Sequence, residues 1–209
     1  MTDKEFPKKI AENVTMYSAD PIVYVVSSFL TDEECDAFIS ASEGKLAKST
    51  VISPGEHIEH KSRISENCWI DHDANDLIHE VSKRLSILVQ MPIRNAEQYQ
   101  LVYYTKQGEY KAHFDSFDYG TPDGKQNWEP GGQRMATALA YLNNVAEGGG
   151  TDFPELDVTI EPKKGDVLVF HNCVHGTTNI HPKSLHAGMP VLEGEKWVVN
   201  LWFRENLRY

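Results

Sequence analysis

The sequence has few cysteines and no long hydrophobic run. Its three cysteines, Cys35, Cys68 and Cys173, lie far apart without CxxC spacing. This pattern predicts neither a disulfide framework nor a zinc finger, and we expect reduced, buried thiols. No segment approaches the roughly 18 apolar residues of a membrane helix, and residues 1–14 lack the apolar core of a secretory signal. We therefore expect a cytoplasmic protein with no membrane partner.

Basic residues are also fewer than acidic residues. Lys and Arg number 20 against 31 Asp and Glu, a formal net charge of −11. Such a chain repels a phosphate backbone, so no nucleic-acid partner is predicted. The length of 209 residues predicts a single domain over 1–209, with 1–95 as support and 96–206 as the core. No feature of the sequence indicates an oligomeric state.

The first half of the chain has a mixed pattern. The β-branched run 21–30 predicts a strand, and Thr31 with Glu34 forms a capping box for a helix that ends near Gly44. A second helix is predicted over about 73–89, where apolar residues recur at helical spacing and Pro92 follows. This half is predicted to form a supporting layer.

From Glu97 onward, short β segments alternate with turns, a pattern typical of a barrel or a double-sheet jelly roll. The predicted strands lie in 97–105, 134–143, 157–162, 165–172 and 196–204. The segment from Ser116 to Gln133 is long, polar and rich in turn residues. A loop of that length in a compact domain is usually functional or disordered.

The stretch YKAHFDSFD contains a histidine and an aspartate separated by one residue. In an extended segment His113 and Asp115 face the same side while Phe114 packs on the other. One imidazole and one carboxylate can then bind a single cation, although a surface polar pair is the simpler alternative. A third ligand must come from another strand, and His186 is the best placed. Two histidines and one carboxylate form the site of non-haem Fe(II) oxygenases.

Several motifs occur together in a fixed order: HFD at 113–115, R-x-x-T, YLN, EGGGTDFP, PKKGD and H-x-x-x-PV-x-x-G-x-KW. This series, from about Glu97 to Glu205, resembles the catalytic domain of the prolyl 4-hydroxylases of the Fe(II)/2-oxoglutarate dioxygenase superfamily, in its small microbial or viral form. SRIS at 62–65 and Trp69 extend the likeness faintly. The resemblance implies an α+β, mainly β fold: a double-stranded β-helix (jelly-roll) core with supporting N-terminal helices.

The resemblance also implies roles for individual residues. The implied iron ligands are His113, Asp115 and His186. The residues implied to bind 2-oxoglutarate are Lys196, Tyr104, Thr151 and Trp202. Lys196 would pair with the distal carboxylate, which agrees with the need of a buried anion for a cation. Strand periodicity supports this role, because Lys196, Asn200 and Trp202 share one face. The alternatives to co-substrate binding are structural: Tyr104 would pack in the strand core, and Thr151 would occupy a turn position.

The candidate substrate-binding residues are Arg134, which the resemblance implies, and Tyr103 and Tyr110, whose rings offer aromatic surface. Arg134 would hold a peptide carbonyl and the tyrosines would pack on a proline ring. A salt bridge for Arg134 and core packing for the tyrosines are the alternatives. His171 and His175 follow a strand rather than lying on a helix, so they are interpreted as peptide contacts or as neighbours of the ligands. His57 and His60 are interpreted as solvated.

The activity implied by the resemblance is hydroxylation of peptidyl proline at C4, with O2 as oxidant. 2-Oxoglutarate would be decarboxylated to succinate and CO2, and ascorbate would restore oxidised iron. Segment 116–133 is the candidate lid. Alternatives are an oxygenase of the same fold acting on another side chain or a small molecule, and a non-catalytic β-barrel binding module.

Overall fold

The computed structural model describes residues 6–49, 63–129 and 131–208, and the backbone alone at 51–53 and 56–58. His57 and His60 therefore lie outside the residues whose side chains are described. Within the described ranges, no helix combines the length and the apolar character that crossing a bilayer requires. Cytoplasmic location stays a prediction.

The predicted helices are present, with caps that explain where they begin. The two predicted helices are α1 (Asp32–Ala41) and α2 (Asp76–Val89), and the described residues contain a further helix, α3 (Pro122–Trp128). The capping box before α1 is confirmed, since Thr31 Oγ1 accepts the Glu34 amide at 3.2 Å and Glu34 Oε2 accepts the Thr31 amide at 2.9 Å. Helix α2 begins later than predicted because Asn75 is its N-cap, with Oδ1 2.9 Å from the Ile78 amide.

Short strands make up most of the rest of the chain. The first group is β1 (Lys8–Ala11), β2 (Val14–Ala19), β3 (Ile22–Val26), β4 (Ala47–Lys48), β5 (Val51–Ser53), β6 (Glu56–Ile58), β7 (Glu66–Ile70), β8 (Tyr99–Tyr104) and β9 (Tyr110–His113). The second group is β10 (Arg134–Tyr141), β11 (Glu147–Gly148), β12 (Thr151–Phe153), β13 (Val158–Ile160), β14 (Val167–His171), β15 (His186–Gly188), β16 (Val191–Glu193) and β17 (Lys196–Arg204). Single 3-10 turns occupy Ile93–Asn95, Pro154–Leu156 and Pro182–Ser184.

Two sheets carry the architecture. Among the described residues, nine strands form the major sheet in the order β1-β2-β3-β14-β10-β17-β8-β7-β4, and four form the minor sheet in the order β13-β12-β15-β9. One face of the major sheet packs against α1 and α2 through residues such as Phe38, Val81 and Leu201. Residues including Tyr141, Phe153 and Phe170 form the second core cluster. The mainly β jelly-roll fold with supporting helices is confirmed.

The N-terminal part of the chain contributes strands as well as helices. Strands β1, β2 and β3 extend the major sheet, because β3 pairs with β14 from Val167↔Val26 to Phe170↔Val23. The N-terminal support is therefore partly β and continuous with the core sheet. Cys35, Cys68 and Cys173 are all free and buried, as predicted.

The segment 116–133, expected to be a loop, contains α3. Thr121 is the N-cap, with Oγ1 3.0 Å from the Gly124 amide, and Pro122 occupies the first turn. Gly124 is required there because a Cβ would collide with the Asp118 carbonyl. A threonine followed by proline is a helix-start signal, so the sequence carried this information. The proposed role of the segment as a lid stays a prediction.

Candidate active site

Two antiparallel strands bring the predicted metal ligands together. His186 at the start of β15 pairs directly with His113 at the end of β9, and their ring centres are 4.4 Å apart. Asp115 lies just beyond β9, with Oδ1 3.6 Å from His113 Nε2 and Oδ2 3.6 Å from His186 Nε2. One ligand atom from each residue lies within 4.8 Å of the others, and no other such group occurs among the described residues. The three form a facial triad suited to a non-haem Fe(II) ion.

Backbone carbonyls orient both imidazoles. His113 Nδ1 is 2.8 Å from the Lys111 carbonyl oxygen, and His186 Nδ1 is 2.9 Å from the Ser184 carbonyl oxygen. A carbonyl oxygen only accepts hydrogen bonds, so each Nδ1 carries the proton. Each Nε2 then presents its lone pair to the centre of the triad.

The charge state of the triad also suits a cation. Burial by itself would raise the pKa of Asp115, but His186, His113 and Arg134 hold that pKa well below its usual range. Burial lowers the pKa of His186 to about 4, although Asp115 opposes this shift. At neutral pH Asp115 is ionised and His186 is neutral, the forms that bind metal.

A buried hydrogen-bond chain supports Asp115. Thr137 Oγ1 donates to Asp115 Oδ2 at 2.7 Å and accepts from Asn172 Nδ2 at 3.0 Å. The backbone carbonyl oxygen of Asn172 accepts from Ser184 Oγ at 3.2 Å and from Ser116 Oγ at 3.5 Å. Asn172 is thus connected to the segments that carry Asp115 and His186. Its position fixes the relative orientation of these two ligands.

The triad opens into a cavity of about 330 Å³. Nine of the ten predicted site residues line it: Tyr104, Tyr110, His113, Asp115, Arg134, Thr151, His186, Lys196 and Trp202. The alternating pattern predicted for the last strand is confirmed, because Lys196, Asn200 and Trp202 line the cavity whereas Val199 and Leu201 pack on the helix side.

Lys196 is a buried cation in this cavity. Its side chain is only 2% exposed, and Nζ lies 5.5 Å from the centre of the Tyr104 ring. No carboxylate among the described residues forms an ion pair with it. Burial lowers the pKa of Lys196 to about 7, and only distant Glu161 opposes the shift. Thr151, beside Lys196 in the lining, has its Oγ1 2.8 Å from Tyr141 Oη. An anion bound here would relieve an uncompensated buried charge.

Arg134 reaches the cavity through a β-bulge. The pairing between β10 and β17 shifts between Arg134 and Ala136, so Arg134 faces the cavity rather than the helices. Its Nε and Nη2 bind Glu97 at 2.7 and 2.9 Å, as in the salt-bridge alternative. The guanidinium carbon also lies 3.7 Å from the centre of the Trp202 ring. Nη1 donates no hydrogen bond to any described residue and is available to a bound molecule.

The structure does not place Tyr103 with the other predicted residues. Tyr103 neighbours Tyr104 in β8 and so faces the opposite side, where its ring packs on Trp197 at 4.2 Å and its hydroxyl donates to Glu195 at 2.8 Å. This position does not support a role in substrate binding. His171 and His175 line a separate cavity beside α2 rather than the catalytic cavity. Phe114, expected to pack on the side opposite His113 and Asp115, instead lies at the rim of the same cavity and is 38% exposed.

Several polar residues that line the cavity are not among the predicted site residues. Arg63 packs over the Tyr110 ring at 4.7 Å and donates from Nη2 to Gln100 Oε1 at 3.2 Å. Asn67 and Trp69 complete this side. Strand periodicity could have identified Gln100 as a cavity residue, because it lies on the same face of the strand as Tyr104. For Arg63, the sequence offered only the faint likeness at SRIS.

Comparison with known proteins agrees with this geometry. The family model described as 2OG-Fe(II) oxygenase superfamily matches residues 99–204, which span the triad and Lys196. This chain belongs to the 2OG-Fe(II) oxygenase superfamily. The resemblance to prolyl 4-hydroxylases is confirmed as well, because the relatives within the superfamily carry that name.

The curated relatives match over most of this chain. A probable prolyl 4-hydroxylase 7 of Arabidopsis thaliana is 35% identical over 90% of this chain and 64% of its own length. A relative in Acanthamoeba polyphaga mimivirus, also named as a prolyl 4-hydroxylase, is 37% identical over 87% of this chain and 74% of its own. The chain thus spans somewhat less than two thirds of the plant oxygenase.

A solved oxygenase structure shares the fold. It is the viral collagen prolyl hydroxylase of Paramecium bursaria Chlorella virus 1, determined as a 2OG complex. The match has a TM-score of 0.69 and 31% identity, and it covers 87% of this chain and 95% of the viral chain.

The role of Thr137 gives a first testable prediction. Thr137→Val removes the hydroxyl that donates to Asp115 Oδ2 while nearly preserving volume. We expect a 10- to 100-fold weaker affinity for Fe(II), about the loss seen when a hydrogen-bond partner of a metal ligand is removed. Anaerobic titration with Fe(II), or with Mn(II) followed by electron paramagnetic resonance, measures this affinity. Thr137→Ser retains the hydroxyl and should bind metal like the wild type; equal affinity in all three proteins would contradict the role.

Proposed function

We propose that this protein is an Fe(II)- and 2-oxoglutarate-dependent dioxygenase that hydroxylates peptidyl proline at C4. The observation that carries the proposal is one cavity that combines a facial triad with a buried lysine that has no ion-pair partner among the described residues. A dicarboxylate co-substrate needs both parts, a metal for its keto-acid end and a cation for its distal end.

The residues present fit both groups. His113, Asp115 and His186 would hold the iron through Nε2, carboxylate and Nε2 atoms. Lys196 would bind the distal carboxylate of 2-oxoglutarate, and the Tyr104 and Thr151 hydroxyls would add hydrogen bonds. When bound, Fe(II) with 2-oxoglutarate and O2 supplies the oxidising chemistry that yields succinate, CO2 and a hydroxylated proline.

The chain keeps the reacting centre fixed and dry. Phe153 and Phe170 pack around His186 with ring centres 5.7 and 4.7 Å away, and both are fully buried. Tyr110 stacks on His113 at 3.6 Å between ring centres. These rings hold the imidazoles and exclude water from the protein side of the triad, which limits unproductive oxidation.

The shape of the cavity favours a peptide over a small metabolite. The rim carries aromatic surface that faces solvent, since Trp69 is 45% exposed and Phe114 is 38% exposed. Trp69 lies 6.2 Å from Trp202 between ring centres, and Nη1 of Arg134 is available for a backbone carbonyl. An open, aromatic rim with a fixed donor suits an extended chain that enters from outside.

Two alternatives make different predictions. An oxygenase of the same fold acting on another side chain or a small molecule would use the same triad and Lys196. A non-catalytic binding module would have no need of the complete set, and here the triad and Lys196 are all in place. The choice between the first alternative and prolyl hydroxylation depends on the product.

We expect mass spectrometry to detect a one-oxygen gain on proline. The assay incubates proline-bearing peptides with the protein, Fe(II), 2-oxoglutarate, O2 and ascorbate, and it follows succinate in parallel. Fragmentation locates the added oxygen, and comparison with a 4-hydroxyproline standard confirms C4.

The outcomes separate the alternatives. Succinate without hydroxyproline would retain the oxygenase and contradict the proline substrate. Neither product from folded, iron-loaded protein would favour the binding module. As a control, the Asp115→Ala protein should give neither product.

A further inference from the structure

A second cavity lies beside the first, on the segment that follows Asp115. Its volume is about 640 Å³. Three aromatic residues, Phe117, Tyr119 and Trp128, line it together with the acidic residues Asp118 and Glu129. Tyr119 is 51% exposed, and its ring meets Trp128 edge to face at 5.1 Å between centres. We call this cavity the aromatic groove.

Buried polar contacts hold the two sides of the aromatic groove in place. Gln133 is fully buried; its Nε2 donates to the carbonyl oxygens of Phe117 at 2.9 Å and Thr178 at 3.2 Å, and its Oε1 accepts the Phe117 amide at 2.7 Å. One side chain thus ties the 117 segment to the 178 segment. A groove fixed in this way requires little ordering when a ligand binds.

Phe117 lies between the aromatic groove, which it lines, and Arg134 of the catalytic cavity. Only Ser116 separates Phe117 from the ligand Asp115 along the chain. The Phe117 ring also packs against the guanidinium of Arg134 at 4.9 Å, and Arg134 lines the catalytic cavity. A peptide chain that passes Arg134 on leaving the catalytic cavity would therefore come close to Phe117 and the aromatic groove.

We propose that the aromatic groove binds a lysine or arginine in the flank of the peptide substrate. This inference rests on the proposed function. Aromatic faces beside carboxylates attract a cation by cation–π and ion-pair interactions. Within the protein itself, the Lys125 ammonium lies 5.7 Å from the centre of the Tyr119 ring, and the net charge of −11 favours basic substrates.

Peptides that differ at one flanking position test this directly. Each peptide has one proline and one variable position, occupied by Lys or Glu. This position lies about two to six residues before or after the proline, which is the reach of an extended chain at ~3.1 Å per residue. At the best position, we expect kcat/KM of the wild type to be about fivefold to tenfold higher for Lys than for Glu, mainly through KM.

The variants separate binding in the aromatic groove from a general effect on the fold. Asp118→Asn removes the charge and retains the acceptor for the Gly120 amide, now 2.8 Å from Oδ1. Tyr119→Leu retains apolar bulk and removes the ring. Each variant should reduce the preference for Lys, and the double variant should remove it. Exposed Asp73 provides the control, and Asp73→Asn should preserve the preference. A preference that persists in the double variant would overturn the proposal.

A direct measurement of peptide binding tests the role of the aromatic groove without requiring catalytic turnover. Calorimetric titration with a proline-free lysine peptide should show binding to the wild type that Asp118→Asn weakens and Asp73→Asn does not. If no peptide is hydroxylated but this pattern holds, the proposed function fails and the aromatic groove is supported. If proline is hydroxylated but Lys and Glu peptides bind and react alike, the aromatic groove fails and the function stands.

Discussion

Replacing Asp115 with asparagine or alanine is expected to reduce Fe(II)- and 2-oxoglutarate-dependent turnover at least about a thousandfold. Asp115 supplies the only carboxylate of the triad, and each of its oxygens lies 3.6 Å from a histidine Nε2. Without this charge, two imidazoles alone bind a hard divalent cation poorly. The loss should therefore appear first in metal affinity, which anaerobic equilibrium dialysis with Fe(II) measures.

The asparagine variant distinguishes loss of metal from loss of fold. Its amide oxygen can still accept the hydrogen bond that Thr137 Oγ1 now donates at 2.7 Å. We expect its thermal unfolding without metal to be cooperative, with native near-ultraviolet circular dichroism. Asp73→Asn, on the exposed surface, makes the same chemical change elsewhere and should leave turnover intact. Full turnover in Asp115→Asn would refute the assignment of the triad.

The metal ligands could be predicted because short spacing and motif order carry most of their geometry. Two residues separated by one in an extended segment share a side whatever the rest of the fold, so His113 and Asp115 followed from local structure. The contribution of His186 depends on its pairing with His113 across two strands. That pairing is long-range, and the sequence predicted it only through the family resemblance.

Strand periodicity worked where pairing is regular and failed where it is not. Lys196 lies in an uninterrupted strand, so alternation placed it correctly on the cavity side. Arg134 reaches the same side only through the bulge before Ala136, which strand alternation does not anticipate. Tyr103 was assigned from its aromatic character, although alternation with Tyr104 already pointed it away from the cavity.

Replacing Lys196 with methionine is expected to raise the KM for 2-oxoglutarate about 30- to 1,000-fold, the loss of a buried charge-assisted pair worth ~2–4 kcal/mol. Methionine keeps the length and apolar stem of the side chain but cannot bind a carboxylate. Fe(II) affinity should stay near the wild-type value, because Lys196 is not part of the triad. Lys83→Met, at a largely exposed position, is the matched control and should leave KM unchanged. An unchanged KM in Lys196→Met would exclude the lysine from co-substrate binding.

The depressed pKa of Lys196 also predicts a pH dependence for the free protein. Its pKa falls from the usual 10.5 to about 7, and only the protonated amine attracts the carboxylate. Affinity for 2-oxoglutarate should therefore be constant just below pH 7 and fall about tenfold per pH unit above it. Titration of metal-loaded protein between pH 6.5 and about 9 measures the slope, and Lys196→Met should show no such fall.

The lowered pKa of Lys196 also predicts how the free energy of unfolding changes with pH. An unfolded chain holds the Lys196 proton up to its usual pKa of 10.5, whereas the folded chain releases it near 7. Between these values the unfolded state binds more protons, so the free energy of unfolding rises with pH, by at most about 1.4 kcal/mol per unit. Urea unfolding without metal or 2-oxoglutarate should show this rise in the wild type and a smaller one in Lys196→Met.

At pH 7 and below, the variant should be the more stable protein, because it no longer buries a charge that only the co-substrate compensates. Parallel stability curves for the two proteins would show that Lys196 is solvated rather than buried.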